Sequence, residues 1–183
     1  ANTMVGIAQL GGRAGFIGRV RDDQLGGIFS HDIRAVGARF ETPAATSGAT
    51  TARCLIYVTP DAERTMCTFL GASTKLEPED LDLSMVRQTK VLYLEGYLWD
   101  NPAAKRAFIA AAEACREAGG QVALSLSDGF CVDRHRDSFL DLVNGHVDVL
   151  FANEVEIKSL YETDDFETAL EKVAGCCSVI AIT

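Results

Sequence analysis

The fold is decided by residues 147–156, which read VDVLFANEVE. Residues 147–152 are nearly all apolar and have the length of a buried strand. The strand ends at Asn153, and residues 154–161 follow with a helical pattern that has Glu156 in its first turn. A buried strand that passes directly into a helix is typical of α/β proteins, in which helices cover a parallel sheet.

The same alternation continues on both sides of this stretch. Strands are predicted at residues 91–98, 122–126 and 178–182, and helices at residues 78–88, 102–118, 132–143 and 166–173. The second of these helices has the clearest pattern, because Asn101 can cap it, Pro102 suits its first turn and Gly119 follows it. Strands separated by helices predict a parallel sheet that is covered on both faces.

The first 74 residues combine two kinds of pattern. Residues 1–40 alternate, with a helix at 1–10, a strand at 14–20, and a helix that begins after Asp22 and Asp23 and ends at Gly37. Residues 41–74 instead hold two strand-like runs, 52–59 and 64–69, around a short Pro-Asp turn, which predicts a β-hairpin. We therefore expect an α/β core of residues 1–40 and 75–183, with residues 41–74 as a small β lid.

Composition argues against two classes of partner. The 183 residues carry a formal net charge of −9 at pH 7, whereas nucleic-acid binding needs clustered Lys and Arg, so no nucleic-acid partner is expected. No apolar run reaches the roughly 18 to 20 residues of a membrane span, and no signal-peptide pattern opens the chain. The six cysteines have no zinc spacing, which indicates reduced core thiols in a cytoplasmic protein, although the adjacent Cys176 and Cys177 leave a redox site open.

The familiar catalytic signatures are absent, since the chain has no phosphate loop, no Rossmann glycine pattern, no nucleophile elbow and no H-E-x-x-H helix. Several segments instead resemble, in the correct order, the ribokinase-like (PfkB) kinases. These segments are ANTM at residues 1–4, LGG at 10–12, FIGRV at 16–20, DDQLG at 22–26, and the Asn-x-x-Glu motif formed by Asn153 and Glu156. Each segment alone is weak, but together they extend the resemblance over essentially the whole chain.

The resemblance implies a fold and an activity. The fold would be a three-layer α/β/α sandwich with a mostly parallel sheet and a small β lid. The activity would be transfer of the ATP γ-phosphoryl group to a hydroxymethyl group of a sugar or nucleoside, with Mg²⁺ as the cofactor. Lids of this type often pair between subunits, so a homodimer through the lid is a further expectation.

The resemblance also assigns roles to individual residues. Asn153 and Glu156 match the motif that holds phosphate and metal. Asn2 and Glu95 would bind hydroxyl groups of the acceptor, and the Tyr97 ring would pack on it.

Each of these residues also has an ordinary structural explanation. Asn2 could cap a helix, Glu95 could be a hydrogen-bonded carboxylate at a strand end, and Glu156 could only complement a helix dipole. Tyr97, and Phe130 as a second candidate ring, could belong to the core.

Within the family, three segments resemble adenosine kinases most: LEGYL at residues 94–98, LSLS at 124–127 and FET at 166–168. Two departures leave the acceptor open between nucleoside and sugar. Glu95 is acidic at a strand end, as in the ribokinase branch, and Leu98 stands where a base-stacking ring would be expected.

The family's catalytic base lies in a Gly-Ala-Gly-Asp stretch at a helix N-terminus, and no such stretch occurs in residues 1–183. Both ends of the chain look cut, so we expect this segment alone to be inactive. Two alternatives stay open on the sequence: a non-catalytic metabolite-binding protein on the same scaffold, and an unrelated doubly wound protein without a β lid.

Overall fold

The computed structural model describes all of residues 1–183. The chain divides into two compact units, residues 1–82 and residues 83–183. The helices are α1 (Asn2–Gln9), α2 (Gln24–Ala35), α3 (Leu83–Arg87), α4 (Pro102–Glu117), α5 (Gly129–His146), α6 (Glu154–Tyr161) and α7 (Phe166–Val173). The strands are β1 (Arg53–Val58), β2 (Arg64–Phe69), β3 (Val91–Glu95), β4 (Gln121–Ser125), β5 (Val149–Ala152) and β6 (Val179–Ile182). No helix is both long and apolar enough to cross a lipid bilayer.

The first unit is organised around the start of α2. Asp23 caps this helix by accepting a hydrogen bond from the Gly26 amide (2.9 Å), and it also accepts bonds from the amide (2.9 Å) and hydroxyl (2.7 Å) of Thr51. These bonds, the one from the Thr51 amide foremost, lower the pKa of the Asp23 carboxyl. A Cβ atom on Gly26 would lie 1.9 Å from the Arg21 carbonyl oxygen, so only glycine fits there. The predicted cap is confirmed.

Three phenylalanines form the apolar centre of this unit. The rings of Phe16, Phe29 and Phe40 lie 5.5 to 5.7 Å apart between centroids, next to buried Val20 and Ile33. The strand predicted at residues 14–20 is wrong, because the segment makes only an isolated bridge between Gly15 and Arg39 rather than a ladder. Its apolar residues therefore serve this cluster and not a sheet.

The predicted hairpin is confirmed. Strands β1 and β2 pair antiparallel with Arg53 opposite Phe69 and Val58 opposite Arg64. Every residue of both strands is exposed, including Leu55, Ile56 and Met66. The assignment of residues 41–74 to a lid stays a prediction.

The second unit contains a four-stranded parallel sheet in the order β3-β4-β5-β6. Leu94, Leu124, Leu150 and Ile180 are aligned across the four strands, and the first three are buried. On the opposite face Ala123 is buried, whereas Val91, Phe151 and Val179 are 50%, 41% and 53% exposed. Because helices alternate with parallel strands, the expected α/β fold class is confirmed.

The helices of the second unit follow their local signals closely. Asn101 caps α4 by accepting from the Ala103 amide (2.8 Å), Pro102 begins the helix, and Gly119 after its end has a φ of 82°. Helix α5 is longer than predicted and is kinked at His135, which contacts Asp100 (2.8 Å). The helix predicted at 78–88 is wrong in extent, because a 3₁₀ turn at Pro78–Asp80 and the short α3 replace it.

All six cysteines are free thiols. Cys115 and Cys131 are buried as expected, whereas Cys54 and Cys67 lie exposed on the hairpin, so the prediction of core thiols is wrong for those two. Apolar neighbours in the sequence suggested a core position, but a two-stranded ribbon buries neither face.

Candidate functional site

A pocket of about 270 Å³ lies at the carboxyl ends of the parallel strands of the second unit. Open α/β sheets bind their ligands at this edge. Its lining residues come from all four strands and the segments that follow them: Tyr93, Glu95, Tyr97, Ser125, Ser127, Phe151, Ala152, Asn153, Glu156, Ala181 and Thr183. The strand register places Glu95, Ser125, Phe151 and Ala181 side by side in one row across the sheet.

Asn153 and Glu156 form a reciprocal capping box at the start of α6. The Glu156 amide donates to Asn153 Oδ1 (2.8 Å), while the Asn153 amide donates to Glu156 Oε2 (3.0 Å). Asn153 Nδ2 donates to Glu156 Oε1 (3.0 Å), so both carboxylate oxygens accept a bond. Glu156 is only 7% exposed, and this network holds its carboxylate in place. Each oxygen keeps a second lone pair, so the cap does not prevent contact with a ligand.

The lining of the pocket is negatively charged. Glu95 and Glu156 are its charged lining residues, and its lining contains no lysine, arginine or histidine. The pKa of the Tyr97 hydroxyl is raised, first by its partial burial and then by the carboxylates of Asp128, Glu156 and Glu95. A phosphate group could therefore not bind against these residues without a cation to offset their charge.

The donor set of the pocket fits a magnesium ion only in part. Mg²⁺ in kinase sites is held by one or two carboxylates, with waters and substrate phosphates completing the shell. The oxygens of Glu156 and Asn153 supply ligands of this type. No group of three or more His, Cys, Asp or Glu side chains is arranged as a metal site in the chain, so these residues do not form an all-protein cage.

Aromatic rings form part of the pocket wall. The Tyr93 and Phe151 rings meet edge to face, with 6.3 Å between centroids and an interplanar angle of 70°. Phe130 is 76% exposed but does not line the pocket, whereas Tyr97 lines the pocket and is 57% exposed, so the Tyr97 ring has free surface there. Such surface suits the apolar side of a sugar or the face of a nucleobase.

The structure brings four of the five predicted site residues into this one pocket: Glu95, Tyr97, Asn153 and Glu156. Their roles toward a ligand stay predictions. Asn2 belongs to the first unit, where it is the exposed first residue of α1; the cap of that helix is Ala1, without a side-chain hydrogen bond. The alternative of Asn2 as an N-cap is therefore wrong, and its role toward an acceptor stays a prediction.

Sequence reasoning missed several lining residues, among them Ser125, Ser127, Phe151 and Thr183. The strand alternation could have found two of them, because Ser125 and Phe151 occupy the same row as Glu95. No local signal marks Ser127. Its contribution depends on the backbone conformation after β4.

A second, larger depression of about 570 Å³ lies in the first unit. It is bordered by five residues of α2 alone, from Gly27 to Ala35. Because one helix cannot enclose a ligand, this depression is open surface and the smaller pocket is the candidate site.

Comparison with known proteins identifies the family. The model of the pfkB family of carbohydrate kinases matches residues 1–181. The chain belongs to the pfkB family. The expected family and the expected fold class are thereby confirmed.

The relatives of this pfkB chain are named for different phosphate acceptors. It is 51% identical to the structure of an adenosine kinase from Sinorhizobium meliloti and 50% identical to that of a probable sugar kinase from Rhizobium etli CFN 42. Both match with a TM-score of 0.95 over 100% of this chain and 56% of theirs. It is also 29% identical to the probable chloroplastic fructokinase-6 of Arabidopsis thaliana, over 90% of this chain and 44% of that protein. The chain thus spans about half the length of the relatives it matches.

Proposed function

We propose that the full-length gene product transfers the γ-phosphoryl group of ATP to a hydroxymethyl group of a sugar or nucleoside. The observation that carries the proposal is the pfkB match over residues 1–181 together with a pocket of carboxylates, hydroxyls and rings at the sheet edge. Carboxylates accept hydrogen bonds from hydroxyl groups, and rings pack on the apolar parts of such acceptors. The negatively charged pocket suits a neutral, hydroxyl-rich acceptor.

On the acceptor side, Glu95 is proposed to accept hydrogen bonds from substrate hydroxyls. Its position at the end of β3, in the row with Ser125 and Phe151, supports this role. Tyr97 is proposed to pack its ring on the acceptor, because it borders the pocket and keeps 57% of its surface exposed.

On the phosphate side, Glu156 and Asn153 are proposed to hold Mg²⁺ together with the phosphates of ATP. When bound, the ion would neutralise charge that develops on the phosphoryl oxygens. The capping box fixes the Glu156 carboxylate at the start of α6, so this carboxylate is already positioned to bind a metal ion. Residues 1–183 contain no Gly-Ala-Gly-Asp stretch, and none of them is proposed as the catalytic base.

Residues 41–74 are proposed to act as a lid that closes over the bound acceptor and excludes water. The support is the hairpin itself, whose strands expose Leu55, Ile56 and Val58 at 57%, 55% and 65%. Apolar side chains this exposed on a two-stranded ribbon gain stability when a partner surface covers them. Pairing of two subunits through the hairpin is proposed on the same ground.

An acceptor panel tests the proposed function. The full-length protein is incubated with ATP and Mg²⁺ and with adenosine, other nucleosides, ribose or fructose, and ADP release is compared with and without each acceptor. We expect one class to be phosphorylated with a clear preference in kcat/KM. Tight binding of an acceptor without any transfer would instead identify a non-catalytic binding protein.

A further inference from the structure

One serine hydroxyl joins the ends of two neighbouring strands beside the pocket. The Gly96 amide, directly after β3, donates a hydrogen bond to Ser127 Oγ (3.0 Å). Ser127 Oγ in turn donates to the carbonyl oxygen of Ser125 at the end of β4 (3.1 Å). The hydroxyl acts as acceptor for one strand end and donor for the other, so it connects them through a single atom.

The backbone at Ser127 is held in an uncommon conformation. Its φ is +70°, in the left-handed region that residues with a Cβ rarely adopt. The neighbours fix it there, since the Leu126 amide donates to the Phe151 carbonyl (3.1 Å) and the Asp128 amide donates to the Leu126 carbonyl (2.8 Å). Non-glycine residues persist in such conformations where the surrounding structure over-determines them, and they concentrate at functional sites.

The two strand ends also touch through their backbones. A Cβ atom built on Gly96 would lie 2.4 Å from the Leu126 carbonyl oxygen and 3.0 Å from that of Ser125. Gly96 lies between Glu95 and Tyr97, and both of these line the pocket. Whatever fixes Gly96 therefore fixes the direction of the two flanking side chains.

We propose that Ser127 is a positioning residue for the acceptor site, an inference that rests on the proposed function. Its hydroxyl holds the Glu95–Tyr97 turn against the end of β4, so that the carboxylate and the ring meet the acceptor in one fixed arrangement. Removal of the hydroxyl frees the turn and weakens acceptor binding. It leaves Asn153 and Glu156, which have their own hydrogen-bond network, in place.

The test compares Ser127→Ala with Ser127→Gly in the full-length protein. Both variants lack the hydroxyl, but glycine adopts the positive φ without strain, so Ser127→Gly should resist denaturant better than Ser127→Ala. The acceptor KM should nevertheless rise in both by up to about tenfold, the factor that corresponds to one net hydrogen bond. The KM for ATP should stay nearly unchanged.

Ser178→Ala is the matched control. The Ser178 hydroxyl also donates to a backbone carbonyl, that of Asp148 (2.7 Å), but at the amino end of β6. This variant should lose some stability and keep its acceptor KM. Hydrogen exchange adds a readout that needs no activity: the Gly96 amide should exchange faster in both Ser127 variants and at the normal rate in Ser178→Ala.

The outcomes separate the two proposals. If the wild-type protein phosphorylates an acceptor and Ser127→Gly keeps the wild-type KM, the positioning role is overturned while the proposed function stands. The positioning role is also overturned if the acceptor KM rises in Ser127→Ala but returns to the wild-type value in the more stable Ser127→Gly. An unchanged exchange rate of the Gly96 amide in both variants would overturn it as well. If the wild-type protein neither binds nor phosphorylates any acceptor, the proposed function fails and the inference fails with it.

Discussion

Gly96→Ala offers a direct perturbation of the contact between the ends of β3 and β4. The new Cβ would lie 2.4 Å from the Leu126 carbonyl oxygen, whereas Cβ contacts under 3.0 Å essentially do not occur. The strand ends must therefore separate by at least ~0.6 Å, the difference between these distances. If this displacement acts along the 3.0 Å hydrogen bond from the Gly96 amide to Ser127 Oγ, it stretches the bond to about 3.6 Å, beyond hydrogen-bonding distance.

Two effects add up in this variant. Forcing extra atoms into a packed contact costs about 1–3 kcal/mol. An unsatisfied buried amide costs about 1–3 kcal/mol more. We expect the free energy of unfolding to fall by ~2–6 kcal/mol, a large part of the ~5–15 kcal/mol typical of a domain.

Denaturant unfolding of the full-length protein measures this effect, with Gly145→Ala as the control. A Cβ on Gly145 would meet no atom within 4 Å, and the residue lies in α5, so alanine there should be neutral or stabilise by up to ~1 kcal/mol. If Gly96→Ala unfolds at the same denaturant concentration as Gly145→Ala, the close approach of the two strand ends is refuted.

Four further outcomes are expected. Glu95→Ala should weaken acceptor binding by about 1–3 kcal/mol in calorimetry, the range for loss of a charged hydrogen-bond partner; normal binding would return Glu95 to a purely structural role. Glu156→Gln should lower turnover and raise the magnesium requirement while acceptor binding stays nearly intact, and an unchanged magnesium titration would contradict the metal role. The pKa of Asp23 is lowered in the fold from its usual 3.8, so its stabilising effect is complete above 3.8 and is lost as the pH falls through the lower folded value. Unfolding curves should show a smaller loss of stability over that pH range in Asp23→Asn than in the wild type, and equal losses would refute the sign. Residues 1–183 alone should show no phosphotransfer from labelled ATP, because they contain no Gly-Ala-Gly-Asp stretch; measurable transfer would move the catalytic base into this chain.

Local signals predicted much of the fold because they act within a few residues. The caps at Asp23, Asn101 and the left-handed stop at Gly119 depend on short-range hydrogen bonds and backbone preferences, and the structure has all three. The strand prediction for residues 14–20 was wrong because apolar composition does not distinguish a strand from a loop whose side chains pack into a core. That decision depends on whether a second segment pairs with it, and only an isolated bridge forms.

Pocket residues could be predicted where they lie at the end of a predicted strand. Glu95 and Asn153 follow apolar runs, so their place at the sheet edge could be inferred from the chain. Ser127 could not, because its contribution depends on a left-handed backbone after β4 and on a hydrogen bond from Gly96 at the end of the neighbouring strand. Such features depend on register between distant segments, which carries no local signal.

Transfer of labelled phosphate from ATP to matched acceptors is the direct test of the proposed phosphotransfer to a hydroxymethyl group. The full-length protein is given the preferred acceptor from the panel and the analogue in which its hydroxymethyl group is replaced by a methyl group, each with [γ-³²P]ATP and Mg²⁺. We expect a labelled ester with the hydroxymethyl acceptor and none with the methyl analogue, although the analogue binds the pocket. Equal labelling of both, or no labelling of an acceptor that binds, would contradict phosphoryl transfer to a hydroxymethyl group.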